Sequence, residues 1–208
     1  ALVIAEPEYP ELDIAYYQGK LDELADRLGQ QLEASAPDGE RATQLLELLS
    51  DEGFSCERGD YDDPQASFLN YVLDEHHGLP ILLSVVSLEV ARRCGVPLRG
   101  VSFPGHFLLR GDSPQGRPPL LFDPTTGDVL SHSDLHALMQ RSTGKQRAIH
   151  KSDIEPVGKH TILARMLGNL RNIYLRHGDI ERLQLAAERL RLLDTQVPSG
   201  RPSPGHLH

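Results

Sequence analysis

The sequence predicts an α+β fold, and three observations carry that prediction. Apolar residues recur at helical spacing near the N-terminus, a central segment is apolar on nearly every side, and short β-like runs follow it, broken by Pro-Gly turns. The architecture they imply is a helical N-terminal region, a buried central helix on a small antiparallel sheet, and a closing helical hairpin. The 208 residues suffice for one domain, or for one domain with a small appendage. We divide them into a helical region (1–62), a core (63–158), a hairpin (159–196) and a Pro/Gly/Ser-rich tail (197–208) whose composition predicts disorder.

Each element has a local reason. Leu21, Leu24, Ala25, Leu28 and Leu32 share one face of a first helix. Leu45, Leu46 and Leu49 mark a second, stopped at Gly53. Asp63-Pro64 reads as an N-cap followed by proline in the first turn, opening a third helix with Phe68, Leu69, Val72 and Leu73 on its buried stripe. From Pro80 to Cys94 the chain is apolar all round until its last turn, the mark of a helix buried on every side. Ser84, Ser87 and Ala91 give it a small-residue stripe. Leu98–Phe103, His106–Arg110 and Leu120–Phe122 read as strands, and helical periodicity returns after Ser131. Residues 161–194 read as two antiparallel helices meeting at His177-Gly178-Asp179.

Charge and composition exclude several functions. A formal charge of −9 argues against a general nucleic-acid binder, because phosphate affinity comes from Lys and Arg. The charge is uneven: residues 1–158 carry −13 and residues 159–208 carry +4, with the switch near Gly158. No apolar run approaches the roughly 18 residues that cross a bilayer. Two cysteines, Cys56 and Cys94, make no disulfide scaffold, so a reducing cytoplasm is the expected setting. No cofactor motif is present.

Three features then fall in order: Gly78-Leu79-Pro80 opening the buried helix, His106 after Phe103-Pro104-Gly105, and Asp123 opening DPTTG. This order resembles the transglutaminase-like, papain-type cysteine fold. There a helix N-terminus stabilises a thiolate, a histidine on the next strand shares its proton, and an aspartate fixes the imidazole tautomer. Gly95–Arg99 (GVPLR) resembles the link from that central helix to the first strand. Counting back from it, the nucleophile's place falls on Pro80, so the nucleophile is absent. Proline suits the first turn of a helix, and the fold keeps its shape without the chemistry.

Over almost the whole chain, the stretch GLPILLS through GVSFPGHFLL, then DPTTG and the last hairpin, is similar to the SirB-type family of bacterial proteins. That resemblance implies a transglutaminase-like core joined to tetratricopeptide-type helices, a cytoplasmic protein associated with invasion-gene regulation, no established enzymatic activity, and proline as the usual residue at position 80. Leu170, Tyr174 and Gly178 stand where a tetratricopeptide repeat places Leu, Tyr and Gly, while Arg171, Leu183 and Thr195 depart from it. A single such repeat cannot bury its own face, so it packs on the core, continues further, or binds a protein partner.

Two functions remain open at this point. In the first, Pro80, His106 and Asp123 are vestigial, and the protein is a non-catalytic binding or regulatory module acting through protein–protein interaction. In the second, Cys56 acts with His106 and Asp123 as a cysteine-type hydrolase or acyltransferase. Other residues have plainer readings. Ser84, Ser87 and Cys94 belong to the core. His132 and His136 are four apart, but Ser131 or Ser133 capping a helix explains the segment better than a metal does. His76-His77 reads as a solvated helix end, Asp51–Asp63 as a solvated acidic surface, and His206 and His208 belong to the tail. The basic hairpin alternates Arg with Glu and Asp, as exposed helices do, so neither DNA nor a membrane is expected as a partner.

Overall fold

The computed structural model describes residues 1–113, 117–144 and 147–195. The tail 197–208, with His206 and His208, lies outside the described residues. Within them the chain forms α1 (Ile14–Gly29), α2 (Asp38–Asp51), α3 (Leu69–Glu75), α4 (Pro80–Arg93), β1 (Leu98–Val101), β2 (Leu108–Gly111), β3 (Leu120–Phe122), α5 (His132–Thr143), α6 (Lys159–His177) and α7 (Ile180–Thr195). Short 3-10 turns fall at Leu2–Ala5, Arg58–Tyr61, Gln65–Ser67 and Lys151–Ile154.

Helix α4 is the centre. Every residue from Pro80 to Ser87 is buried, and so are Val90 and Ala91. Only its last turn reaches solvent, where Arg93 pairs with Glu89 on its own helix and with Asp22 on α1. A segment of this kind has to be covered on all sides. The main core around it therefore draws Leu21, Leu24 and Leu28 from α1, Leu45 and Leu49 from α2, Val72 from α3, Phe107, Leu109 and Phe122 from the sheet region, and Ile162, Met166 and Ile173 from α6. The first helix of the terminal hairpin is thus part of the same core as the N-terminal helices.

The sheet is antiparallel in the order β1-β2-β3, with Arg99 opposite Arg110 and Arg110 opposite Leu121. Alternation puts Leu109 and Phe122 on the α4 side, while Val101, Leu108 and Leu121 face a second cluster with Leu135, Leu138 and Met139 of α5. Ser131 and Asp134 close a reciprocal capping box at the start of α5. At the other end of the chain, Gly178 takes a left-handed conformation (φ 70°) that ends α6 and lets α7 fold back. The 3-10 turn at the N-terminus is clamped against that hairpin: Arg182 pairs with Glu8, and Arg189 donates to the carbonyls of Val3 and Ile4.

Two expected boundaries move. The third helix does not open at Asp63-Pro64. Pro64 leads instead into the 3-10 turn Gln65–Ser67, and Phe68 adopts extended backbone before α3 begins at Leu69. His106 is not on a strand, because β2 begins at Leu108; it lies in the turn after Pro104-Gly105, where its N–H donates to the Phe103 carbonyl.

The passage from α3 to α4 is the tightest point of the fold. His76 closes α3 with φ 62°, uncommon for a residue with a side chain. Two contacts hold it: its Nδ1 lies 2.7 Å from the Glu52 carbonyl, and its ring stacks on Phe54. At Gly78 a Cβ would sit 2.4 Å from Val72 Cγ2 and 3.0 Å from the Ala66 carbonyl. The Gly78→Ala variant should therefore lose about 1–3 kcal/mol of stability in a urea titration, the usual cost of overpacking.

Candidate functional site

The N-terminus of α4, the turn before β2 and one face of α6 enclose an open cleft of about 280 Å³. Pro80 and His106 line it from the core side; Tyr61 lines it as well, and Arg165, Asn169 and Arg176 line it from α6. The structure thus brings Pro80 and His106 into one cavity, with Asp123 behind the histidine.

Pro80 is the first residue of α4, after Leu79 with φ −60° and ψ 148°. Its ring needs no hydrogen-bond acceptor there. The Leu82 and Leu83 N–H groups turn back onto the Leu79 carbonyl at 2.8 and 3.1 Å, whereas the Ile81 N–H has no acceptor among the described residues. Ser84 and Ser87, further along the helix, donate to the carbonyls of Pro80 and Leu83 at 2.9 Å each. Those hydroxyls are fully buried and already engaged, so neither is available as a nucleophile.

His106 and Asp123 form a pair, with Nε2 3.3 Å from Oδ1. Their side chains are 10% and 16% exposed. Asp123 directly follows β3 in a turn that its own carboxylate organises: Oδ1 also accepts from the Thr125 N–H at 2.9 Å and the Thr125 hydroxyl at 2.7 Å. Burial pushes this carboxyl up, but the hydrogen bonds from His106 and Thr125, with the imidazole's charge, outweigh it and hold the group below its ordinary value. With Nε2 held by the carboxylate, Nδ1 is the nitrogen left for a partner in the cleft.

Cys56 lies close enough for its sulfur to interact with Tyr61 and to feel the charge of Asp123. Its thiol is pushed up to about 11, first by burial and then by the Asp60 carboxylate; Asp123 and Glu57 add to this, and only the Tyr61 hydroxyl opposes it. That environment disfavours a thiolate. Cys94 sits apart at the end of α4, where its Sγ donates to the Ala25 carbonyl at 3.3 Å and burial raises its pKa. His132 is exposed and His136 half-buried, and their rings face each other edge to face. No group of three metal-ligating side chains occurs among the described residues.

Two expectations fail beside this cleft. His77 is not a solvated helix end: its Nδ1 is 2.8 Å from Asp60 Oδ1 and its Nε2 is 3.2 Å from the Tyr71 hydroxyl. Nor is the Asp51–Asp63 stretch wholly a solvated surface, since Asp60 is 3% exposed and its other oxygen accepts from the Glu57 N–H. A second His–Asp pair therefore ties the 3-10 turn carrying Tyr61 to the chain just ahead of Pro80. Parallel pairing of Ser55 with His77 reinforces the tie.

The polar wall on α6 also escaped the sequence reading. Arg165, Asn169, Asn172 and Arg176 recur at helical spacing and all line the cleft. Arg165 donates to the His106 carbonyl at 3.0 Å and to the Ser102 hydroxyl at 3.4 Å, and burial lowers its pKa. It has no carboxylate partner among the described residues. Arg176, by contrast, pairs with Asp62 and donates to the Tyr61 carbonyl.

The lowered Asp123 pKa fixes a pH dependence. A depressed folded-state value contributes stability that is complete above the ordinary carboxylate range (about 4) and is lost as pH falls through the folded value. Asp123→Asn should cost about 1–3 kcal/mol at pH 7 by leaving buried donors poorly matched, a cost that shrinks as pH falls through the folded value of Asp123. Urea titrations of both proteins across a descending pH series from 7 measure the difference.

Comparison with known proteins agrees with this geometry. A family model described as transglutaminase-like superfamily matches residues 15–168. A UPF0162 protein of Pseudomonas aeruginosa is 37% identical over 180 residues, covering 86% of this chain and 65% of its own length. The chain thus spans just under two thirds of that relative. A UPF0162 protein of Xylella fastidiosa is 36% identical over 204 residues, covering 95% of this chain and 72% of its own. The mouse protein named F-box only protein 21 is 31% identical over 157 residues, 70% of this chain but 23% of that protein. No solved structure matches the chain. No helix among the described residues is long and apolar enough to cross a membrane. The chain belongs to the UPF0162 family, whose core is a transglutaminase-like domain.

Proposed function

We propose that this chain is a non-catalytic binding module, a transglutaminase-like scaffold that engages a protein partner and acts through that contact. The observation behind this reading is Pro80 at the first position of α4, sharing a cleft with His106. A pyrrolidine ring carries no nucleophilic atom, so the His106–Asp123 pair has nothing to activate at the place where the helix N-terminus would favour an anion. The match to a much longer mouse chain supports a portable unit that also occurs within longer chains. The SirB-type resemblance, the tetratricopeptide-like spacing of α6 and α7 and the lack of a disulfide framework fit a cytoplasmic regulator. Apolar Leu175, Ile180 and Leu185 are exposed on the hairpin, side chains of the kind a protein partner covers.

The second reading, a cysteine hydrolase or acyltransferase using Cys56, has the proximity of that thiol to Asp123 in its favour and the thiol's pKa against it. A rise from 9.0 to about 11 cuts the thiolate fraction at pH 7 about a hundredfold. Alkylation by iodoacetamide at pH 7, followed by intact-protein mass spectrometry, separates the two. The binding-module reading expects Cys56 to react about a hundred times more slowly than a free thiol. Rapid labelling that His106→Ala slows would instead establish an activated cysteine and overturn it.

A further inference from the structure

The cleft described above has one feature that its scaffold does not need. Arg165 is a half-buried cation whose hydrogen bonds go to neutral groups, the His106 carbonyl and the Ser102 hydroxyl. Taking a guanidinium out of water without a counter-charge is costly, and here burial acts on it with no acid to offset the loss. The side-chain amide of Asn169, one turn along the same face, has no hydrogen-bond partner among the described residues, and the residue lines the same cavity.

We propose that the cleft between α4 and α6 receives a carboxylate group of the bound partner, held by the Arg165 guanidinium and the Asn169 amide. This rests on the binding-module reading and deepens it by naming the chemistry recognised. The planar fork of an arginine matches a carboxylate. The unpaired Ile81 N–H at the start of α4 adds a donor at the cleft wall. Charge balance selects a monoanion over a phosphate dianion: of the two cleft arginines among the described residues, Arg165 has no carboxylate and Arg176 is already paired with Asp62. Asp62 and Asp123 nearby would further oppose a second negative charge. A cavity of about 280 Å³ accommodates an acidic side chain, a chain terminus or a small carboxylic acid.

The test is an NMR titration of the 15N-labelled chain with acetate, inorganic phosphate and neutral acetamide at constant ionic strength. Saturable shifts at the Arg165 Nε–H, the Asn169 side-chain amide and the Ile81 N–H with acetate, and none with acetamide, are expected. Arg165→Gln should weaken acetate binding on the order of tenfold or more, the loss of one charge-assisted contact. Because Arg165 also anchors the His106 turn, Asn169→Asp provides an independent check: a carboxylate supplied by the chain itself should raise the melting temperature and abolish the acetate shifts. Tighter binding of phosphate than of acetate, equal shifts at all surface arginines, or no saturation overturns the proposal. Failure here, with Cys56 still inert, leaves the binding-module reading standing; an activated Cys56 in a chain that binds acetate removes that reading and leaves the carboxylate site.

Discussion

The structure depends on a helix that cannot face water. From Pro80 to Ser87 no side chain of α4 is exposed, so the fold is a solution to covering one apolar cylinder. Helices α1, α2 and α3 cover part of it, the sheet another part, and α6 the remainder. This explains why the first hairpin helix is integral to the core, although the charge of the chain changes sign just before it. Met166 and Ile173 cover α4, and the polar residues between them then fall on the cleft side. One helix thereby closes the core and builds a binding wall.

The N-terminus of α4 is also where the backbone is most constrained. His76 in a left-handed conformation, Gly78 against Val72, and Pro80 at the first helical position form one tight reversal. The His77–Asp60 and His106–Asp123 pairs flank it. The first pair ties the turn bearing Tyr61 to the chain ahead of Pro80, and the second fixes an imidazole across the cleft. Two histidine–carboxylate pairs, each with a largely buried carboxylate, stiffen this reversal, because each fixes an imidazole against one acceptor. Rigidity of this kind suits recognition, which gains when its groups are ordered before the ligand arrives.

Periodic features were legible in the sequence and aperiodic ones were not. The α4 segment declared itself by composition, and α1, α2 and the terminal hairpin by 3.6-residue spacing, since burial writes directly into those patterns. The order of Pro80, His106 and Asp123 was legible for the same reason, each standing beside a recognisable element boundary. His106 was displaced from its expected strand because the turn at Pro104-Gly105 runs on through Phe107, two residues further than the apolar pattern implies. The Asp60–His77–Tyr71 contacts were invisible: they join residues 6 and 17 positions apart that share no periodic pattern, and an acidic run reads as solvent-exposed whichever single member is buried. The α6 stripe did carry a signal, the spacing of Arg165, Asn169, Asn172 and Arg176. It was masked by the tetratricopeptide-like positions on the same helix and by the general alternation of charge in the hairpin.

What separates Arg165 from Arg176 is their company. Arg176 reaches Asp62 at the rim, where half its side chain is in solvent and an ion pair contributes little. Arg165 lies deeper, where an ion pair would matter more, yet its neighbours supply only a carbonyl and a hydroxyl. A scaffold selected for stability alone would be served by an apolar residue of similar size, because isolated buried charge is a net cost. A guanidinium beside the Asn169 amide and the Ile81 N–H places three donors around a cavity whose one lining carboxylate among the described residues, Asp62, is already paired with Arg176. With Pro80 removing nucleophilic chemistry from that cavity, its remaining chemical character is that of a receptor for a negatively charged oxygen.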